Sequence, residues 1–222
     1  MSRMFPFITG TWNPVAGECP YDCVYCWAKS LIKRNDMVKY RGPAHLDEKA
    51  LSKIPDSGFV FAQDMSDISV LDHIDAKRLV AEFKKRPSVE WLTLTKNPAW
   101  YRSMAELNGV EFPSNVILGA TIETNVKIEV SKAPRPIDRL VSMMWVKDHL
   151  PNRVFISVEP IMDFRWEFAD QLAHIGPWGV AVGYDNYHNG LPEPSLSKTL
   201  ALIDTLEKHG IQVYRKTLRE KK

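Results

Sequence analysis

The sequence has little sulfur and no long apolar run. Only three of its 222 residues are cysteine. No stretch approaches the ~20 apolar residues of a membrane-spanning helix, so no membrane partner is expected. Residues 1–7 lack the charged-then-apolar order of a signal peptide, which predicts a cytoplasmic protein with reduced thiols. There is no Gly-x-Gly-x-x-Gly, no Walker loop and no His-Glu-x-x-His, so the common dinucleotide, P-loop and zinc-protease signatures are missing. Charge of either sign is scarce as a surplus, the net being +2. The basic tail, 214–222, more than accounts for it: Arg215, Lys216, Arg219, Lys221 and Lys222 stand against Glu220. The rest of the chain is slightly acidic, a weak footprint for a dedicated nucleic-acid binder. The tail itself reads as a solvated end.

What is present is an ordinary globular composition, 45% hydrophobic and 25% charged, long enough for one domain over 1–222. Short apolar runs at 5–11, 58–63, 90–95, 115–121, 153–158 and 178–183 read as buried parallel strands, with a seventh at 211–214. Helical patterns separate them. Leu79, Val80 and Phe83 share a face behind Asp75 as N-cap, and Asn97-Pro98 reads as another helix start. Ile137, Leu140, Val141 and Met144 form a third stripe, and Leu196, Leu200, Ile203 and Leu206 a fourth, stopped by Gly210. Repeated βα units predict a parallel sheet with right-handed crossovers, an α/β fold closer to a complete or partial barrel than to a flat sheet.

All three cysteines fall in one eight-residue run, Cys19-Pro-Tyr-Asp-Cys23-Val-Tyr-Cys26, just after the first strand. Three thiolates on one loop suit three irons of a cubane cluster and leave the fourth iron open. A Cys3His zinc site with His45, 19 residues past Cys26, is the competing reading. Trp12 and Trp27 flank the run and are expected to shield it from solvent.

The Cys-x3-Cys-x2-Cys spacing, with Tyr25 before the last cysteine, resembles the signature of the radical S-adenosylmethionine superfamily. Further segments resemble a subgroup found in phage and microbial genomes. They are Thr11-Trp12-Asn13-Pro14, Asp64-Met65-Ser66-Asp67, Leu94-Thr95-Lys96-Asn97-Pro98, Gly119-Ala120-Thr121-Ile122-Glu123, Ser157-Val158-Glu159-Pro160 and the strand ending at Gly183. The resemblance implies a partial (β/α)6 TIM-like barrel. It implies a 4Fe–4S cluster on Cys19, Cys23 and Cys26, and S-adenosylmethionine on the open iron, cleaved reductively to a 5′-deoxyadenosyl radical. It also implies an electron donor such as flavodoxin or ferredoxin.

Function in parallel barrels gathers at the C-terminal strand ends. The predicted strands are followed within about three residues by Asn13, Asp64, Lys96, Glu123, Glu159 and Asp185 in turn. By the resemblance, Asp64 and Ser66 meet the methionine ammonium, although the Gly-Gly-Glu often found there is missing. Lys96 pairs with the methionine carboxylate or with substrate, Glu123 or Glu159 takes the ribose hydroxyls, and Gly183 lets backbone approach adenine. With every cysteine spent, a second all-cysteine cluster has no ligands and no thiol can return a hydrogen atom; Tyr184, with Tyr187 beside it, is the candidate donor. The expected substrate is large, nucleic acid ahead of protein. The rivals are a non-catalytic iron–sulfur or zinc protein that binds nucleic acid or a protein partner, and a barrel that has become a binding scaffold.

Overall fold

A computed structural model describes residues 4–220; residues 1–3 and the tail's Lys221 and Lys222 lie outside the described residues. In chain order the elements are strands β1 (Gly10–Trp12) and β2 (Val15–Ala16), helix α1 (Trp27–Arg34), β3 (His45–Leu46), α2 (Glu48–Leu51), β4 (Gly58–Ala62), α3 (His73–Lys84), β5 (Val89–Thr95), α4 (Ala99–Arg102), β6 (Val116–Thr121), α5 (Pro136–His149), β7 (Val154–Val158), α6 (Phe168–Ile175), β8 (Gly179–Val182), α7 (Leu196–Lys208) and β9 (Gln212–Arg215). β2 and β3 make a small antiparallel pair. The other seven strands form one parallel sheet in the order β1-β4-β5-β6-β7-β8-β9. Spatial order follows chain order, so successive crossovers run the same way and the sheet curls into a half-barrel with its helices on one face. The expected partial barrel is found, with β9 as a seventh strand.

The central strands β6, β7 and β8 are almost wholly apolar because both faces are covered. On the helix face Val60, Ala62, Trp91, Leu118, Ile156 and Val180 pack with Leu79, Phe83, Leu140, Phe168 and Leu202. On the inner face Phe61, Leu92, Ile117, Phe155 and Ala181 pack with Phe5 and Ile8. This corrects the first strand, which begins at Gly10 and not at residue 5. The Ile8 N–H turns back to the Phe5 carbonyl at 3.1 Å instead of joining a ladder. Phe5 stands 5.1 Å from Phe155, and Phe7 stands 4.8 Å from Phe59 and 4.7 Å from Tyr214, ring to ring. The segment thus serves as the cover of the inner face; each buried ring contributes ~1.5–3 kcal/mol.

Four helix expectations shift. Asp72, not Asp75, caps α3, taking the N–H groups of Ile74 and Asp75. Asp75 instead accepts the Leu46 N–H across to β3. α4 starts at Ala99 with Pro98 as its cap, while the Asn97 N–H is held by Thr95 Oγ1. α5 buries Arg139, Leu140, Met143 and Val146 and leaves Ile137 and Val141 exposed, because an ion pair draws Arg139 inward. α7 buries Thr199, Leu202, Ile203 and Leu206, and Leu200 faces out.

The tail is also corrected. Tyr214 and Arg215 belong to β9, Lys216 donates to the Met4 carbonyl, and Arg219 forks onto Glu193 at 2.8 and 3.0 Å. Through residue 220 it is part of the fold, because its cations have carboxylate and carbonyl partners on neighbouring segments. No helix among the described residues is long and apolar enough to cross a membrane.

Candidate functional site

The cysteine loop joins β2 to α1 at the end of the barrel where the strands terminate. Asp22 sits at φ +47°, a left-handed conformation that lets the chain turn sharply between Cys19 and Cys23. Two backbone bonds tie the loop to the segment before α5: Val24 N–H to Val130 at 2.9 Å and Lys132 N–H to Tyr21 at 2.7 Å. Cys26 caps α1, its sulfur accepting the Lys29 N–H at 3.4 Å. Cys19 is exposed, Cys23 buried and Cys26 between the two.

Cys19 is exposed as a residue, yet desolvation of its thiol, helped by the Asp67 carboxylate, pushes it up to about 12. Burial raises Cys23 as well, against the pull of Lys96. Iron binding would have to displace these protons. Among the described residues no group of three His, Cys, Asp or Glu side chains is placed to hold one metal ion. A mononuclear zinc site needs sulfurs about 2.3 Å from a common centre. A cubane cluster asks for one thiolate at each of three separate corners. Three thiols on one loop fit the second demand in kind and number. His45 is exposed, with Nδ1 3.0 Å from the Pro43 carbonyl. Trp12 does not shield the loop: it is buried 5.4 Å from the Trp91 ring, and its indole donates to Ala50 at 3.0 Å. Its place in β1, paired with Ala62, turns it to the helix face.

The loop after β4 carries two unpartnered acceptors. Asp64 Oδ1 and Ser66 Oγ are buried without a hydrogen-bond partner. Burial raises the Asp64 carboxyl, an effect that Asn13 partly offsets. Buried polar atoms in native proteins nearly always have partners, so these two are open to a ligand donor. Neighbouring Asp67 is fully occupied. Its Oδ1 accepts the Thr95 hydroxyl at 2.6 Å and the Ser69 hydroxyl at 2.7 Å, and its Oδ2 the Lys96 N–H at 2.8 Å.

Lys96 and Glu123, expected as separate ligands, are brought together. Glu123 Oε1 receives Lys96 Nζ and the Tyr25 hydroxyl, and Glu123 Oε2 receives Arg139 Nη1 at 2.8 Å. Lys96 Nζ also donates to the Tyr25 oxygen at 2.6 Å and lies 4.9 Å from the centre of that ring. Arg139 is completed by the Pro134 and Thr121 carbonyls at 2.7 and 3.0 Å. Burial by itself would raise Glu123, but the Lys96 and Arg139 cations override it and hold the carboxyl at about 2. Burial, with Glu123 alongside, drives the Tyr25 phenol well up, so it stays a donor.

Glu159 follows β7 and is half-buried; its Oε2 accepts the Ser157 hydroxyl at 3.4 Å, and Lys216 Nζ stands 4.0 Å from Oε1. Burial raises it, and Lys216 opposes the rise. A Cβ on Gly183 would meet Lys216 Cβ at 2.7 Å, so that glycine is required by the chain leaving β9. Tyr184 points the other way: its hydroxyl is buried 2.7 Å from Thr199 Oγ1 of α7 and 3.3 Å from the Pro194 carbonyl. Tyr187, on the same loop, is exposed. Asp185 is buried and ties its own loop, taking the N–H groups of Tyr187 and Asn189. Sequence reasoning missed Arg139, Asp67 and the hydroxyl role of Tyr25. The one signal was an arginine inside an apolar helical stripe.

No protein-family model matches the chain, and no curated protein matches it. Solved structures do. A mutant of spore photoproduct lyase with bound AdoMet and dinucleoside spore photoproduct superposes at TM-score 0.56 and 14% identity, over 90% of this chain and 60% of that one. A second mutant of that lyase gives 0.60 at 12% identity, over 97% of this chain and 80% of that one. The protein anSMEcpe with bound AdoMet gives 0.51 at 12% identity, over 95% and 61%. The chain therefore spans about 60% of the length of the first of these. At such identities the likeness carries the fold, which agrees with the half-barrel that the resemblance implied.

Proposed function

We propose that the chain is an enzyme of the radical S-adenosylmethionine type, with Cys19, Cys23 and Cys26 holding a 4Fe–4S cluster. The observation that carries this reading is the pair of unpartnered acceptors, Asp64 Oδ1 and Ser66 Oγ, buried at the same barrel end as three clustered thiols. Bound there, cluster and cofactor supply a reductive carbon–sulfur cleavage to methionine and a 5′-deoxyadenosyl radical. The chain's own work is to bind, orient and exclude water. Asp64 and Ser66 accept from the methionine ammonium. Lys96 has three N–H donors and spends two on Tyr25 and Glu123, leaving one for the carboxylate. Of the two candidate ribose ligands Glu159 has the freer oxygens, since both Glu123 oxygens are engaged. Gly183 faces Glu159 Oε1 and keeps the adenine side clear of a side chain.

Tyr187 fits hydrogen return better than Tyr184, whose hydroxyl is committed to α7. The favoured substrate is nucleic acid. The likeness to a lyase with a bound dinucleoside photoproduct supports this, as do Trp166 and Tyr187, exposed at 78% and 61% on the loops after β7 and β8. Exposed rings of this kind stack on bases. A one-electron donor such as flavodoxin or ferredoxin, in the cytoplasm, completes the reading.

Anaerobic reconstitution of the full chain tests it. The expected result is about four irons per chain and, after reduction, release of 5′-deoxyadenosine from S-adenosylmethionine. A colourless protein that retains one zinc would overturn the reading.

A further inference from the structure

We infer that Tyr21 and Tyr25 are positioning residues: two phenol anchors, on either side of Cys23, that lock the cysteine loop onto the barrel through Lys96. The inference rests on the proposed role of the cysteines for its consequence, but the contacts themselves are between protein groups.

The loop needs such anchors. Its two backbone bonds to Val130 and Lys132 reach only another irregular segment, and Val24 between two cysteines is 59% exposed. The two hydroxyls reach the sheet. Tyr21 meets Ser69 Oγ at 2.6 Å, and Ser69 donates to Asp67, which in turn holds the Lys96 backbone N–H at 2.8 Å. Tyr25 meets the Lys96 ammonium directly at 2.6 Å and donates to Glu123. One residue at the end of β5 is therefore gripped from two directions, by its backbone and by its side chain.

The far end of the Tyr25 anchor is rigid for an electrostatic reason. Glu123 is fully buried between Lys96 and Arg139, and any movement of its carboxylate would leave a buried cation unpaired. The phenol thus has one acceptor in one place. Fixing Tyr21 and Tyr25 fixes the backbone between them, and with it the directions of Cys23 and Cys26. Groups that orient ligands in this way typically change metal affinity by about 10–100-fold when removed.

The test uses the full chain, anaerobically reconstituted, with Tyr21→Phe, Tyr25→Phe and the double variant. Phenylalanine keeps each ring and removes only the hydroxyl. The readouts are the rate of iron loss to a chelator, the electron paramagnetic resonance signal of the reduced cluster, and amide hydrogen exchange over residues 19–28. Tyr101→Phe is the control: it removes a buried hydroxyl bonded to Thr93 and Gly119 on the helix face. The double variant should lose iron at least about tenfold faster, show an altered signal, and exchange loop amides faster by a similar factor. Tyr101→Phe should lower overall stability and leave all three readouts at the native level. A double variant within twofold of native in iron loss and loop exchange would overturn the inference. Should the native chain take up no iron, the cluster reading falls, whereas loop exchange, which needs no iron, still decides the anchors.

Discussion

At the residue scale the most informative side chain is Glu123. A carboxylate with no exposure survives only because Lys96 and Arg139 neutralise it from both sides. Its pKa is lowered from 4.5 to about 2 on folding, so its stabilising contribution is complete above the unfolded value. That contribution is lost as pH falls from 4.5 towards about 2. Asp64 and Glu159, raised by burial, act with the opposite sign and gain as pH falls. Urea unfolding between pH 6 and 3 should therefore show the native chain losing more stability than Glu123→Gln across the acid range. Parallel curves would mean that the ion trio is not what holds this carboxyl down. At neutral pH, removal of the charge leaves Lys96 and Arg139 buried without a counter-ion and should cost roughly 3–5 kcal/mol.

At the element scale the decisive piece is the segment before β1. Its rings lie on the inner face against β4, β7, β8 and β9, where a conventional strand would have carried them to a sheet edge. Phe5 is 1% exposed. Phe5→Ala should therefore cost roughly 3–5 kcal/mol in denaturant unfolding, against less than ~0.5 for a side chain lying on the surface. The segment was legible as apolar but not as non-strand, because Phe5, Phe7 and Ile8 fit a short apolar run as well as they fit a cover. The strands β4 to β9 were legible almost to the residue, since a helix-backed parallel strand leaves a continuous apolar signature, whereas the short pair β2 and β3 was not. The α5 stripe was displaced because hydrophobicity alone gave Arg139 no reason to face inward. Glu123, just past β6, supplies that reason, together with the Thr121 and Pro134 carbonyls.

At the scale of the whole molecule the sheet is a half-barrel whose end strands are β1 and β9. Among the described residues, Lys216 after β9 reaches the Met4 carbonyl, and Arg219 binds Glu193 while lying 5.2 Å from the Tyr184 ring. With side chains 24% and 13% exposed, the Arg219–Glu193 pair is sheltered enough to matter. Arg219→Ala should lower stability by about 1.5–3 kcal/mol, read as a fall of several degrees in Tm. A freely solvated tail would show no change.

The sequence by itself determined the features that depend on spacing and period. Three thiols within eight residues, apolar runs at βα intervals and a polar residue after each strand are local facts, and the fold keeps them. Tertiary structure alone decided which of those polar residues meet. Tyr25 and Glu123 are 98 positions apart, Tyr25 and Lys96 71, and Glu123 and Arg139 16. It also turned Tyr184 towards α7, because its neighbour Gly183 takes the inner face and successive side chains leave a strand on opposite sides. The physical reason is range. Periodicity and spacing are written within one turn or one strand, whereas the partner of a buried charge is chosen by whichever oppositely charged group the packed sheet brings within a few ångströms of it.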